Sequence, residues 1–72
     1  MNAKQCRMAR AGLNLSGRNF AALAGVGYAT LARFESGSPI ADESRERIEE
    51  ALTGIGAQFT RRAGRIGVTL PD

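Results

Sequence analysis

The chain has no histidine and only one cysteine among its 72 residues. Protein metal sites are built largely from these two residue types, and nucleophilic catalysis pairs a reactive side chain with a base such as histidine. The few aspartates are not clustered either, as the two carboxylates of a hydrolase would be. We therefore expect neither an enzyme, nor a metal site, nor a cofactor.

Long apolar runs are also missing, and no charged and then apolar leader opens the sequence. A membrane-spanning helix needs about 20 predominantly apolar residues, and a secretory leader has a recognisable apolar region. The single Cys6 has no partner for an internal disulfide and lies in an amphipathic helical pattern. This favours a buried thiol over a redox sensor. The sequence predicts a cytoplasmic protein with no membrane contact.

What is present fits one small folded domain. The hydrophobic fraction of 43% and the charged fraction of 24% are ordinary for a folded chain of this length. Apolar periodicity predicts a mainly α fold: four helices over residues 1–56 and a β-hairpin tail over residues 57–72, which belongs to the same domain. The net charge of +3 is unevenly spread, because basic residues dominate up to residue 41 and acidic residues dominate from 42 to 50.

Residues 15–37 predict two short amphipathic helices joined by a tight turn. Ser16 is a suitable N-cap for a helix over residues 17–24, and Gly25 can adopt the left-handed conformation that ends it. A second helix is expected over residues 28–36, with Gly37 as its stop. Its inner side would carry Leu31, Phe34 and Glu35, and its outer side Ala29, Ala32, Arg33 and Ser36. An outer side of small residues and one arginine suits insertion into a groove.

In this segment the chain resembles the phage-repressor and Cro-like helix-turn-helix proteins, also called the XRE family. The resemblance covers about residues 3 to 55 and is carried by Ser16, Phe20-Ala21, Ala24-Gly25-Val26, Gly27, Thr30, Leu31, Phe34 and Glu35-Ser36-Gly37. It implies a four-helix repressor-like domain whose second motif helix enters the major groove of double-stranded DNA.

The resemblance also implies which residues contact DNA. The positions used for base contacts are occupied by Tyr28, Ala29, Thr30 and Arg33. Arg33 can bond O6 and N7 of a guanine, whereas Tyr28 either bonds through its hydroxyl or packs against the turn. Phosphate contacts are expected from both ends of the motif: Ser16, Arg18 and Asn19, then Ser36, Gly37 and Ser38.

Two glycines depart from the family pattern. Many members have Gln where this chain has Gly17, and Ser or Asn where it has Gly27. Both changes remove polar contacts, so we expect modest affinity per half-site. Strong binding would then require a homodimer whose recognition helices lie about 34 Å apart.

A charged pair is expected inside the fold. Helix 1 is predicted over residues 3–11, capped by Asn2 with Gln5 three residues on. The helical pattern places Arg10 on the inner side of this helix, and Glu35 lies on the inner side of helix 3. The resemblance implies a partly buried salt bridge between them; the alternative is two separate solvated charges.

The remaining segments predict a fourth helix and a hairpin. Helix 4 should begin near Asp42 and end by Gly54 or Gly56, with its glutamates facing water and its apolar stripe formed by Ile48, Ala51, Leu52 and Ile55. Strands are expected over residues 58–60 and 66–70, with residues 61–65 as the turn. Their buried face would carry Phe59, Ile66, Val68 and Leu70. This face either pairs with another copy as a dimerisation element or closes the core of a monomer.

These features together predict a sequence-specific DNA-binding transcriptional regulator. We expect a repressor or autoregulator that binds an inverted-repeat operator as a homodimer. The alternative is a protein-binding module of the same fold, such as an antiactivator or an antitoxin, and Gly17 and Gly27 keep this alternative open. Phosphate contacts would make DNA binding steeply salt-dependent, which distinguishes the two.

Overall fold

The computed structural model describes all 72 residues. It contains four helices followed by an antiparallel two-stranded hairpin, which confirms the predicted mainly α architecture. None of the helices is both long and apolar enough to cross a lipid bilayer. The elements are α1 (Ala3–Gly12), α2 (Gly17–Ala24), α3 (Tyr28–Glu35), α4 (Asp42–Ile55), β1 (Gln58–Arg62) and β2 (Arg65–Thr69).

Local side-chain chemistry sets the helix ends. Asn2 accepts a hydrogen bond from the backbone N–H of Gln5, and the Gln5 side chain accepts one from the N–H of Asn2, both at 2.9 Å. This is the predicted capping box. The Ser16 hydroxyl accepts from the N–H of Asn19 at the start of α2. Gly25 ends α2 with a φ of 73°, a left-handed conformation that glycine adopts without strain.

The core lies where the four helices meet. Its largest fully buried side chains are Phe20 from α2, Leu31 from α3, and Ile48 and Leu52 from α4, while α1 contributes the smaller Cys6 and Ala9. One predicted core residue is misplaced: Ile55 is 38% exposed. It is the last residue of α4, and Gly56 turns the chain away at that point.

The hairpin turn is shorter than the sequence suggested. Only Ala63 and Gly64 lie outside the strands, and both have positive φ values, 52° and 74°. Such a conformation at both central residues is typical of a two-residue type I′ turn. The prediction of a turn over residues 61–65 was therefore wrong, because the arginines at 61, 62 and 65 belong to the strands.

The hairpin packs on α1 and closes the core of its own chain. Phe59, Val68 and Leu70 are half-buried against the core cluster. Gln5 is 4% exposed, and its side-chain amide donates to the carbonyls of Thr60 and Gly67 at 2.9 and 3.1 Å. Packing on the core of its own chain is the arrangement of the second alternative, and dimerisation through this face stays a prediction. Ile66, the fourth predicted dimerisation residue, is also half-buried.

Candidate functional site

The face of α3 that the sequence singled out is open to solvent. The turn between α2 and α3 consists of Gly25, Val26 and Gly27, and Val26 packs against the core between the helices. Leu31 and Phe34 anchor α3 in the core. Its opposite side is exposed over Tyr28, Ala29, Ala32, Arg33 and Ser36. The hairpin, which packs on α1, leaves this side uncovered.

The guanidinium group of Arg33 makes one hydrogen bond within the chain. Its Nη2 donates to the carbonyl oxygen of Pro39 at 3.2 Å, while the remaining donors have no hydrogen-bond partner in the chain. No carboxylate lies within salt-bridge distance of Arg33. The side chain borders an open depression lined by Thr30, Arg33, Pro39, Ile40, Ala41 and Ser44. Arg33 is therefore an exposed cation with a defined direction and free donors.

Tyr28 packs across the start of α2. A Cβ atom added at Gly17 would lie only 2.9 Å from Cε1 of the Tyr28 ring. The guanidinium carbon of Arg18 lies over the same ring, 4.5 Å from its centroid. The ring thus adopts the packing alternative considered for Tyr28, and a base contact through its hydroxyl stays a prediction. Sequence reasoning missed this cluster, since the contact joins the first residues of two different helices.

The first turn of α2 has unused hydrogen-bond donors. The backbone N–H groups of Gly17 and Arg18 make no hydrogen bond within the chain, as expected at a helix start. The side chains of Arg18 and Asn19 are exposed. The predicted phosphate contacts of this segment therefore have their donors available.

The segment after α3 differs in this respect. The backbone N–H groups of Ser36, Gly37 and Ser38 donate to the carbonyls of Ala32, Phe34 and Arg33. The Ser36 hydroxyl also donates to the Arg33 carbonyl. These groups close the end of α3, where Gly37 has a φ of 89°. Of the donors predicted to bind phosphate here, only the Ser38 hydroxyl is uncommitted.

The expected ion pair between α1 and α3 is present. Arg10 donates to both carboxylate oxygens of Glu35, from Nε at 2.9 Å and from Nη2 at 2.8 Å. Its Nη1 donates to the carbonyl of Leu15, and Arg7 donates to the backbone carbonyl of Glu35. The hydrogen bond with Glu35 raises the pKa of Arg10 further. The pair fixes the end of α3 and the segment before α2 against α1.

Cys6 adds a contact that sequence reasoning missed. Its thiol donates to Oε2 of Glu35 at 3.3 Å. Burial, followed by this hydrogen bond, raises the pKa of Cys6 to about 12, so the thiol is neutral at physiological pH and a poor nucleophile. The signal was available: Cys6 and Arg10 are four residues apart and therefore share one face of α1.

Comparison with known proteins adds no identification. No known protein-family model matches this chain, and no curated protein is significantly similar to it. The resemblance to the phage-repressor family therefore rests on the residues that carry it.

Proposed function

We propose that this protein is a sequence-specific DNA-binding transcriptional regulator of the helix-turn-helix type, acting in the cytoplasm. The observation that carries the proposal is the two-sided burial of α3. Leu31 and Phe34 hold this helix in the core, and its arginine-bearing side is exposed. With eight residues, α3 is about 12 Å long, a length that suits the B-DNA major groove.

Arg33 has the central role in base recognition. Its hydrogen bond to Pro39 orients the guanidinium and leaves most of its donors free. A bidentate contact to guanine contributes about 1 to 3 kcal/mol of discrimination against the wrong base. Ala29 and Thr30 lie in the first turn of α3, four and three residues before Arg33. From there Ala29 would contact a thymine methyl and Thr30 a base edge.

Phosphate contacts complete the interface around α3. They come from the first turn of α2, through Ser16, Arg18, Asn19 and the free N–H groups, and from the Ser38 hydroxyl. Gly17, which replaces the Gln of many family members, has a steric role in this fold, because its lack of a side chain makes room for Tyr28.

We propose further that the protein binds an inverted-repeat operator as a homodimer and acts as a repressor or autoregulator. One module with a single eight-residue recognition helix offers few base contacts, and a second copy doubles them over half-sites about 34 Å apart. The two-stranded sheet has no third strand, so each strand keeps an unpaired edge that a second copy can use.

Selection from a library of random DNA duplexes tests this function. We expect short palindromic sites, and we expect Arg33→Ala to relax one position in each half-site. Arg45→Ala is the matched control, because Arg45 is an exposed arginine on α4 whose nearest acid, Asp42, is also exposed. A loss that is uniform over all sequences would contradict base recognition by Arg33. Absence of any salt-dependent duplex binding by the unmodified chain would reject the function and favour the protein-binding alternative.

A further inference from the structure

We propose that Tyr28 acts through Arg18: its ring holds the Arg18 guanidinium in position as a contact to a DNA backbone phosphate, and Gly17 is required to make room for that ring. This inference rests on the proposed DNA-binding function. It gives Tyr28 a positioning role in place of the base contact that the family resemblance implied.

The first support is the state of the Arg18 side chain. Its guanidinium carbon lies 4.5 Å from the centroid of the Tyr28 ring, well within the range of about 6 Å for a cation–π contact. A cation–π contact does not consume the N–H donors of a guanidinium in hydrogen bonds, so those of Arg18 remain available. No hydrogen bond or salt bridge within the chain involves the Arg18 side chain. Arg18 is thus oriented by a neighbour that leaves all of its donors free.

The second support is the glycine beneath the ring. Gly17 is the first residue of α2 and does not have the left-handed φ of Gly25 or Gly37, so its backbone conformation does not require glycine. What requires glycine is space, because a Cβ at this position would lie 2.9 Å from the Tyr28 ring. Glycine at this position lacks the Gln side chain of many family members, and the space that it leaves holds the ring that supports Arg18.

The third support is the position of the cluster. Tyr28 is the first residue of α3, and Arg18 lies in the first turn of α2, so their contact connects the starts of the two helices. The backbone N–H groups of Gly17 and Arg18, which have no hydrogen-bond partner in the chain, lie in the same first turn of α2. A planar guanidinium binds a phosphate through two parallel hydrogen bonds. A sugar-phosphate backbone passing the start of α2 would meet both kinds of donor together.

A double-mutant cycle on DNA binding tests the coupling between the two side chains. The variants are Arg18→Gln, Tyr28→Leu and their combination, each measured on a selected site and on a scrambled duplex over a range of salt concentrations. We expect Arg18→Gln to reduce the slope of log affinity against log salt by about 0.9, equally on both duplexes. Tyr28→Leu should weaken binding about two- to fivefold. The combined variant should bind as weakly as Arg18→Gln alone, since the ring has nothing left to position.

Two further variants separate positioning from other roles of Tyr28 and Gly17. Tyr28→Phe keeps the ring and removes the hydroxyl, so it should lose less affinity than Tyr28→Leu and should keep the coupling to Arg18. Gly17→Ala should displace the ring, which is the mobile outer part of a side chain, without disturbing the fold. We expect Gly17→Ala to match the unmodified chain in melting temperature or exceed it, because alanine is the better helix residue, and yet to lose affinity as Tyr28→Leu does.

Several results would overturn the inference while the proposed function stands. They are additive losses in the double-mutant cycle, a loss in Tyr28→Phe as large as in Tyr28→Leu, unchanged affinity in Gly17→Ala, or an Arg18→Gln effect confined to one base position. If the unmodified chain binds no duplex at any salt concentration, the proposed function fails and this inference fails with it. The two failures are therefore distinguishable in one set of measurements.

Discussion

Arginines at the α1–α3 junction and on the outer side of α2 and α3 have opposite surroundings. At the junction, all three guanidinium nitrogens of Arg10 donate hydrogen bonds, two to the Glu35 carboxylate and one to the Leu15 carbonyl. On the outer side, Arg18 has an aromatic ring but no acceptor, and Arg33 has a single carbonyl. The same residue type therefore holds the fold together in one region and stays available to an anion in the other. The acceptors around an arginine distinguish these two roles better than its place in a sequence motif.

Exposure sharpens this contrast within the ion pairs themselves. Arg10–Glu35 and Arg47–Glu43 have the same N–O distance of 2.8 Å, but the side chains of the first pair are 22% and 11% exposed and those of the second 53% and 76%. Solvent and salt screen the exposed pair, so equal distances do not mean equal energies. Removing one partner of the junction pair should therefore cost far more stability than removing one partner of the surface pair.

The largest expected effect comes from removing one partner at the junction. Arg10→Gln leaves the Glu35 carboxylate with little compensation in a mostly buried place, and we expect the free energy of unfolding to fall by about 2 to 4 kcal/mol. Urea denaturation measures this. The matched control is Arg18→Gln, which removes only an exposed cation–π contact and should change stability by less than about 1 kcal/mol. Equal losses in the two variants would remove the distinction between the two regions.

High pH should weaken the junction through Cys6. The pKa of this thiol is about 12 in the folded chain and 9.0 ordinarily, so the folded state holds the proton more tightly. Stability from this source is complete below pH 9 and is lost as pH rises toward 12, with a slope of at most about 1.4 kcal/mol per pH unit. Unfolding measured across this range should show a shallower slope in Cys6→Ala. Identical slopes would mean that the buried thiol does not contribute.

Replacing both partners at the junction should be far milder than breaking the pair. A chain with Arg10→Met and Glu35→Leu buries no unpaired charge, and we expect its stability to lie within about 1 kcal/mol of the unmodified chain. Calorimetry together with the single variants gives the comparison. A double variant as unstable as Arg10→Gln would show that the hydrogen bond to Leu15, and not the charge pair, dominates.

The smallest effect is expected on the surface of α4. Glu43→Gln removes the exposed pair but keeps the hydrogen bond from Arg47 to the carbonyl of Gly25. We expect a change of about 0.3 to 0.5 kcal/mol, which should disappear in high salt. A loss comparable to that of Arg10→Gln would contradict the role assigned to exposure.

Helix ends were predictable, since capping chemistry is local. Asn2, Ser16, Gly25 and Gly56 mark their boundaries through groups within a few residues of each other. The ion pair was also within reach, because both charges fall on inner helix faces. The hairpin turn was not predictable from such local patterns, because Ala63 adopts a positive φ, which is typical of glycine and asparagine.

The candidate site was predictable only in outline. Periodicity identifies the exposed side of α3, but it does not show that the donors of residues 36–38 close the helix. It also does not show that Tyr28, Gly17 and Arg18 meet, because that contact depends on the angle between two helices. Such contacts follow from packing in three dimensions, which helical periodicity does not encode.

The buried amide of Gln5 has a consequence for how the molecule is made. It bonds to carbonyls of residues 60 and 67, the second of which lies 62 positions further along the chain. While the ribosome is still producing that distant segment, the amide has no such acceptors and α1 lacks part of its support. Complete docking of α1 must therefore wait for the hairpin to emerge, so the helix that carries Arg10 gains its full support only late in synthesis.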